Sequence, residues 1–323
     1  MRQANFDWKL SETEPSESFL QMIRELKLSP FVGKLLWQRG YHEEKDINRF
    51  LHPKEQELHD PYLMHDMDKA ISRIQEAVIS GEKILVYGDY DADGITSATV
   101  MKETLELLGA EVEVFLPNRF EHGYGPNQSV YQEKIEEGIQ LIITVDNGVA
   151  GNDAVAYAQQ AGVDVIITDH HELPENLPDA YAIVHPRHPA GHYPFPDLAG
   201  VGVAFKVASA LLEEPPVEFL DLVAIGTIAD LVSLTDENRI LVSLGIDAIH
   251  HSERIGLQAL FEESGVKMRD ADETTIGFSI APRLNAIGRM GDPRPAVSLL
   301  ATFDEEEASV QAKKLNEINE ERK

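Results

Sequence analysis

Short unbroken apolar runs and longer, spaced apolar patterns alternate through the middle of the chain. The runs ILVY (84–87), LIITV (141–145) and VIIT (165–168) predict strands buried on both faces of a sheet. In the segments between them, apolar residues recur every three or four positions, the spacing of a helix with one buried side. Strands are therefore expected at 83–88, 111–116, 141–145 and 164–168, with a further one at 182–184, and helices at 66–80, 94–108, 127–137 and 150–161. Strands separated by helices of this length imply an α/β fold, a parallel sheet with right-handed crossovers flanked by helices. The proline- and aromatic-rich HPRHPAGHYPFPDLAG (185–200) excludes regular structure. Beyond it the pattern is mostly helical: 201–213, 217–228, 237–251, 255–264 and 293–302.

Upstream, three short helical patterns between Pro15 and His65 predict a small N-terminal helical cap, and residues 1 to about 14 read as a loose arm. The expected organisation is an arm and cap (1–65), an α/β domain (66–200), a helical part of the same core (201–303) and a charged helix (304–323). That last helix carries an apolar stripe, Ala308, Ala312, Leu315 and Ile318, for which the sequence shows no partner.

Composition narrows the function. Asp and Glu number 56 against 28 Lys and Arg, a formal charge of −28. Such a surface disfavours non-specific nucleic-acid binding and anionic membranes. An enzyme acting on phosphate would have to neutralise its substrate locally. The absence of cysteine excludes disulfides, iron–sulfur clusters and thiolate zinc sites. The N-terminus lacks a signal pattern and no apolar run approaches membrane-spanning length, so a soluble cytoplasmic protein is expected.

The chemistry concentrates where predicted strands end. Asp89, Asp91 and Asp93 fall within five residues after the first strand, in GDYDADG. Asp is a good helix N-cap, which alone accounts for one of them. Three like charges this close repel unless a cation lies between them. Asp146-Asn147-Gly148 follows the third strand, Asp169-His170-His171-Glu172 follows the fourth, and Asp230 lies in a later apolar helix. If strands 83–88, 141–145 and 164–168 are neighbours, these loops converge on one crevice at the carboxyl edge of the sheet. Carboxylates with imidazole and no sulfur suit a pair of Mn²⁺ or Mg²⁺ ions, which activate water and stabilise the leaving oxygen of a phosphate ester.

DYDADG (89–94), TVDNG (144–148), TDHHE (168–172) and GTIADLVSL (226–234) resemble the four motifs of the DHH-family phosphoesterases. The likeness runs from about Ile84 to Leu300 and includes PNRFEHGYG (117–125) and PRLNAIGRM (282–290). The branch it most resembles degrades single-stranded DNA. The resemblance implies a two-metal 5′→3′ exonuclease of DNA repair and recombination, releasing 5′-mononucleotides. Single-strand-binding protein and a helicase would be its further partners. Alternatives within the same fold are a phosphodiesterase of short oligonucleotides or cyclic dinucleotides and a non-catalytic scaffold.

Carried over to this sequence, the resemblance implies that Asp146 bridges two cations. Asp93, His170 and Asp230 would complete one site, and Asp91, with Asp89, would hold the other. His171 would face the scissile phosphate as a catalytic residue, Arg289 would bind phosphate from a loop, Arg119 would lie near the 5′ end, and Asn285 would contact substrate. Two departures accompany it. Tyr87 stands where other branches carry a histidine, implying fewer protein ligands at the first metal. The resemblance also implies further C-terminal domains after Lys323, with 304–323 as the connector.

Overall fold

The computed structural model describes residues 14–322, so the predicted N-terminal arm falls almost wholly outside the described residues. The chain divides into two compact units, Met1–Lys54 and Glu55–Lys323.

In the first unit, α1 (Glu17–Glu25) and α2 (Pro30–Gln38) each start on a serine, Ser16 and Ser29, whose hydroxyl accepts a backbone N–H three residues on. With α3 (Glu44–Leu51) they bury Phe19, Ile23, Leu36 and Ile47. The unit ends at 54, not at 65. Residues 55–63 form two short 3₁₀ turns of the larger unit, and there the backbone N–H of His59 donates to Glu237 (2.8 Å).

After those turns the second unit continues with α4 (Met67–Ser80), stopped by Gly81 in the left-handed conformation. The elements β1 (Lys83–Tyr87), α5 (Ala92–Leu107), β2 (Glu111–Phe115), α6 (Gln128–Glu136), β3 (Leu141–Val145), α7 (Asn152–Gln160), β4 (Asp164–Thr168) and β5 (Ala182–Val184) follow. The strands pair in parallel in the order β2-β1-β3-β4-β5. Side chains alternate between faces: Ile84, Val86, Leu141, Ile143 and Ile166 enter one core, while Leu85, Tyr87, Ile142 and Ile167 enter the other, under α6 and α7. Burial on both faces is why these runs read as continuous. The edge strand β2 is only half-buried and carries Glu111 and Glu113, charges that discourage further strand pairing.

The helical remainder covers the first face. It comprises α8 (Gly200–Leu212), α9 (Leu220–Ala229), α10 (Asp236–His251), α11 (Ile255–Ser264), the single turn α12 (Glu273–Thr275), α13 (Ala281–Met290), α14 (Arg294–Ala301) and α15 (Glu305–Arg322). Two sequence expectations change here. PRLNAIGRM is helix α13, preceded by a π-helical turn at 276–280, and not a loop. The stripe on α15 is already covered: Ala308, Ala312 and Leu315 are buried, and the helix packs on α11, α13 and α14.

The order β2-β1-β3 places a topological switch between β1 and β3. The chain leaves β1 for one side and returns on the other, so the crossover helices part and open a crevice at the carboxyl edge. The loops after β1, β3 and β4 meet there.

Candidate metal centre

Three triads of ligand atoms, each within 4.8 Å of one another, occupy this crevice: Asp89, Asp91 and Asp146; Asp93, His170 and Asp230; and Asp146, His170 and His171. All six residues carried over as metal ligands are therefore in one place, and Asp146 belongs to two triads. Nε2 of His170 lies 3.1 Å from Oδ1 of Asp146 and 3.8 Å from both Asp93 and Asp230. The first of these contacts lacks hydrogen-bond geometry, which leaves two buried polar atoms, Asp146 Oδ1 and His170 Nε2, without a hydrogen-bond partner among the described residues. Buried orphan atoms of this kind cost free energy unless something else fills their coordination. A divalent cation fits: the donors are carboxylate and imidazole, and they converge.

Local structure explains each position. Asp91 caps α5, its carboxylate accepting the Gly94 N–H (3.0 Å), so capping and ligation are compatible uses of one side chain. Asp93 lies in the first turn of α5. Its two oxygens accept the N–H groups of Gly200 (2.7 Å) and Val201 (2.8 Å), the free donors at the start of α8, where the helix dipole favours an anion. Asp146 holds φ = 58°, a left-handed backbone uncommon outside glycine, which turns its carboxylate off the end of β3. Gly200 is obligatory beside it, because a Cβ there would stand 2.3 Å from Asp146 Oδ1. Asp230 is the residue that ends α9 and not a residue within the helix.

Electrostatics show the strain of so much carboxylate. Burial, and then repulsion from Asp91, raises Asp89 to about 7; burial and Asp91 raise Asp230 to about 6. Asp93 and Asp146 are pushed well above the usual carboxylate range, first by burial and then by neighbouring aspartates. Burial lowers His170 to about 4, keeping it neutral, the form that binds metal. A cation between the carboxylates reverses the repulsion.

The pH dependence of stability follows. In the metal-free chain the raised aspartates hold protons in the folded state that the unfolded chain, with Asp near 3.8, has released. The folded state binds more protons, so stability falls as pH rises from about 4 to 7. His170, lowered to about 4, acts oppositely below 6.5, together with His185 and His188, which burial also lowers, but the four raised aspartates outweigh these three histidines. Melting temperature without metal should fall across this window and the increment from added Mn²⁺ should grow. An increment independent of pH would refute the repulsion account.

Asp169, to which the sequence motifs assign no role, proves to be the anchor of His171. It is buried and accepts four hydrogen bonds: from Val149 N–H (3.0 Å), His170 N–H (2.7 Å), His171 N–H (3.1 Å) and His171 Nδ1 (2.8 Å). On the other side of the ring, Nε2 meets the Tyr124 hydroxyl at 2.9 Å. Burial alone would lower His171, but the bond and charge of Asp169, then Asp89 and Asp230, raise it to about 9. His171 is thus a charged, oriented imidazole with both ring nitrogens already engaged.

Asn285, Arg289 and Arg119 are the residues that the resemblance implies at the substrate. Asn285 accepts the Ala92 N–H (2.8 Å) and so braces the acidic turn from α13. Gly288 packs so closely that a Cβ would stand 1.9 Å from the Tyr90 carbonyl oxygen. Arg289, next to it, is exposed and without a carboxylate partner among the described residues. Arg119 is also exposed, 5.9 Å from the Tyr90 ring centroid. Tyr124 is half-exposed at the rim of the crevice, against His171, whereas Tyr193 is buried elsewhere with its hydroxyl on Glu237. Tyr87, at the place of the missing histidine, is buried and donates to the Gly125 carbonyl (2.9 Å), so it is no ligand.

A parallel α/β sheet whose switch-point crevice gathers carboxylates and a histidine pair is the arrangement that the sequence motifs predict for a DHH-type domain. Residues 83–227 match the model of the DHH family, N-terminal domain, and the chain belongs to that family. It is 47% identical to the single-stranded-DNA-specific exonuclease RecJ of Bacillus subtilis (strain 168), over 98% of this chain and 40% of that protein. RecJ of Escherichia coli (strain K12) is 36% identical over 92% of this chain and 54% of its own length. Among solved structures, RecJ from Thermus thermophilus in complex with Mn²⁺ matches with a TM-score of 0.82 and 32% identity, covering 95% of this chain and 44% of that one. The chain thus spans about half the length of these relatives, or less. Among the described residues no helix is long and apolar enough to cross a membrane.

Proposed function

We propose that this chain carries the catalytic centre of a metal-dependent, single-strand-specific 5′→3′ DNA exonuclease that releases 5′-mononucleotides. The observation that supports it most is the pair of triads sharing Asp146, in a chain nearly half identical to a RecJ exonuclease. Asp89, Asp91 and Asp146 would hold one Mn²⁺ or Mg²⁺, and Asp93, His170 and Asp230 with Asp146 the other. When bound, the ions supply an activated water and a counter-charge for the leaving oxygen. The chain's own groups do the rest. The α8 N-terminus fixes Asp93, Asp169 holds His171 cationic beside the scissile phosphate, and Arg289 and Arg119 take up phosphate charge that the acidic surface would otherwise repel. Such an enzyme works in the cytoplasm on strand exposed by a helicase and covered by single-strand-binding protein. Mn²⁺-dependent digestion of 5′-labelled single-stranded DNA, with a duplex and a dinucleotide as controls, tests the reading. Preference for either control overturns it.

Replacing His171 or Arg289 with Ala should lower turnover by about 10²-fold or more while leaving Mn²⁺ affinity within a few-fold, because each stabilises charge that develops on the phosphate. Parallel loss of metal affinity would make them ligands or braces. Arg119→Ala should change the ranking of 5′-phosphate, 5′-hydroxyl and blocked ends. A ranking unchanged at reduced activity removes its 5′-end role.

A further inference from the structure

At the far end of α5 from the metal-type cluster lies a cleft of about 890 Å³. Asp93 and Leu107 are separated along one helix by roughly 21 Å, from about 1.5 Å of rise per residue. The cleft is therefore remote from the chemistry proposed above. It lies where the end of α5, the start of α9, the α10–α11 junction and the end of α14 come together.

Two properties of its walls are unusual together. Leu107, Val217 and Phe303 stand around it 64%, 51% and 93% exposed. One such side chain is ordinary on a surface, but three around a single depression form a patch of the kind that marks an interaction site. The rim, moreover, is acidic, and among the described residues it holds no free lysine or arginine. Arg254, the one arginine in the lining, is bound by Glu103 (2.5 Å and 3.0 Å) and the Leu300 carbonyl (2.8 Å), with Asp221 3.5 Å away. Glu218 and Glu253, both exposed, have no cationic partner among the described residues. Phosphate would be repelled here, which excludes the DNA strand as occupant. An open cleft with apolar side chains projecting from its edge suits a segment laid across it better than an enclosed small molecule.

We propose that this cleft docks an amphipathic segment of a partner protein. Its large apolar side chain would enter between Leu107, Val217 and Phe303, and its lysine or arginine flanks would face Glu218 and Glu253. Charge complementarity selects such a partner over an acidic one and speeds encounter, while the apolar contact carries the affinity.

The test uses the whole chain and a fluorescent helical peptide with leucine on one face and lysine on the other, beside the same peptide with glutamate for lysine. Anisotropy at physiological salt should show binding of the basic peptide only. The variant V217D/F303D should weaken it by at least about tenfold. E218K/E253K should weaken it and flatten its salt dependence. Because these side chains are exposed, all variants should keep the wild-type melting temperature and the wild-type rate of DNA hydrolysis. Equal binding by wild type and V217D/F303D would mean general attraction to the acidic surface and would overturn the proposal, as would no binding by wild type. Equal capture of the acidic peptide would overturn the basic partner.

Discussion

Asp146→Asn should leave a chain that folds, melts higher than the parent without metal, and has lost both its second Mn²⁺ equivalent and its activity. The substitution keeps the shape and tolerates the left-handed backbone that Asp146 adopts at φ = 58°, so folding is not the casualty. It removes one buried negative charge from a cluster whose members raise each other's pKa, which relieves the metal-free protein. What is lost is the one carboxylate common to the triad with Asp89 and Asp91 and the triad with His170 and His171. Turnover should fall by at least about 10³-fold, about 4 kcal/mol of transition-state stabilisation. Calorimetry decides the bridging role: two Mn²⁺ bound per mutant chain would remove it. Asp230→Ala, by contrast, should spare the site that Asp89 and Asp91 share.

Asp169→Asn should separate catalysis from metal binding. Three donors converge on one carboxylate oxygen and the Val149 N–H on the other. An asparagine can keep the three on its carbonyl only by pointing its NH₂ at the Val149 N–H, donor against donor. It also withdraws the charge that holds His171 at about 9, so the imidazole becomes neutral near physiological pH. The expected result is a loss of about 10²-fold in turnover or more, with two Mn²⁺ still bound and the alkaline limb of the pH–rate profile moved to lower pH. Combining it with His171→Ala should add little further loss, since the two act as one unit. Loss of metal in Asp169→Asn alone would show that it braces the ligand set and not the histidine.

Legibility in the sequence follows burial. LIITV and VIIT are buried on both sides, so their apolar runs have one reading, and the loops after them carry the acidic motifs to the crevice as expected. PRLNAIGRM misleads because proline and glycine normally punctuate. Pro282 sits in the first turn of α13, where its missing N–H is not needed, and Gly288 is there for its closeness to Tyr90, not for a bend. The cover of the α15 stripe is illegible because its partners, α11 and α13, precede it by a span that no local periodicity encodes. Asp169 cannot be told from its neighbours by type. Only the strand end, which turns it inward beneath both histidines, distinguishes it.

The closeness of Gly288 to Tyr90 also sets an order of events during synthesis. The acidic turn is braced by residues almost 200 positions later: Asn285 on the Ala92 N–H and Gly288 against the Tyr90 carbonyl. A ribosome that has released only the sheet has made Asp89, Asp146 and His170 but not Asp230 or α13. Contacts this distant in sequence form late, after the local ones have offset the entropy of loop closure. A nascent chain therefore carries the sheet and an unbraced, self-repelling acidic loop long before it carries a competent centre. That delay withholds an assembled ligand cluster until the fold around it is finished.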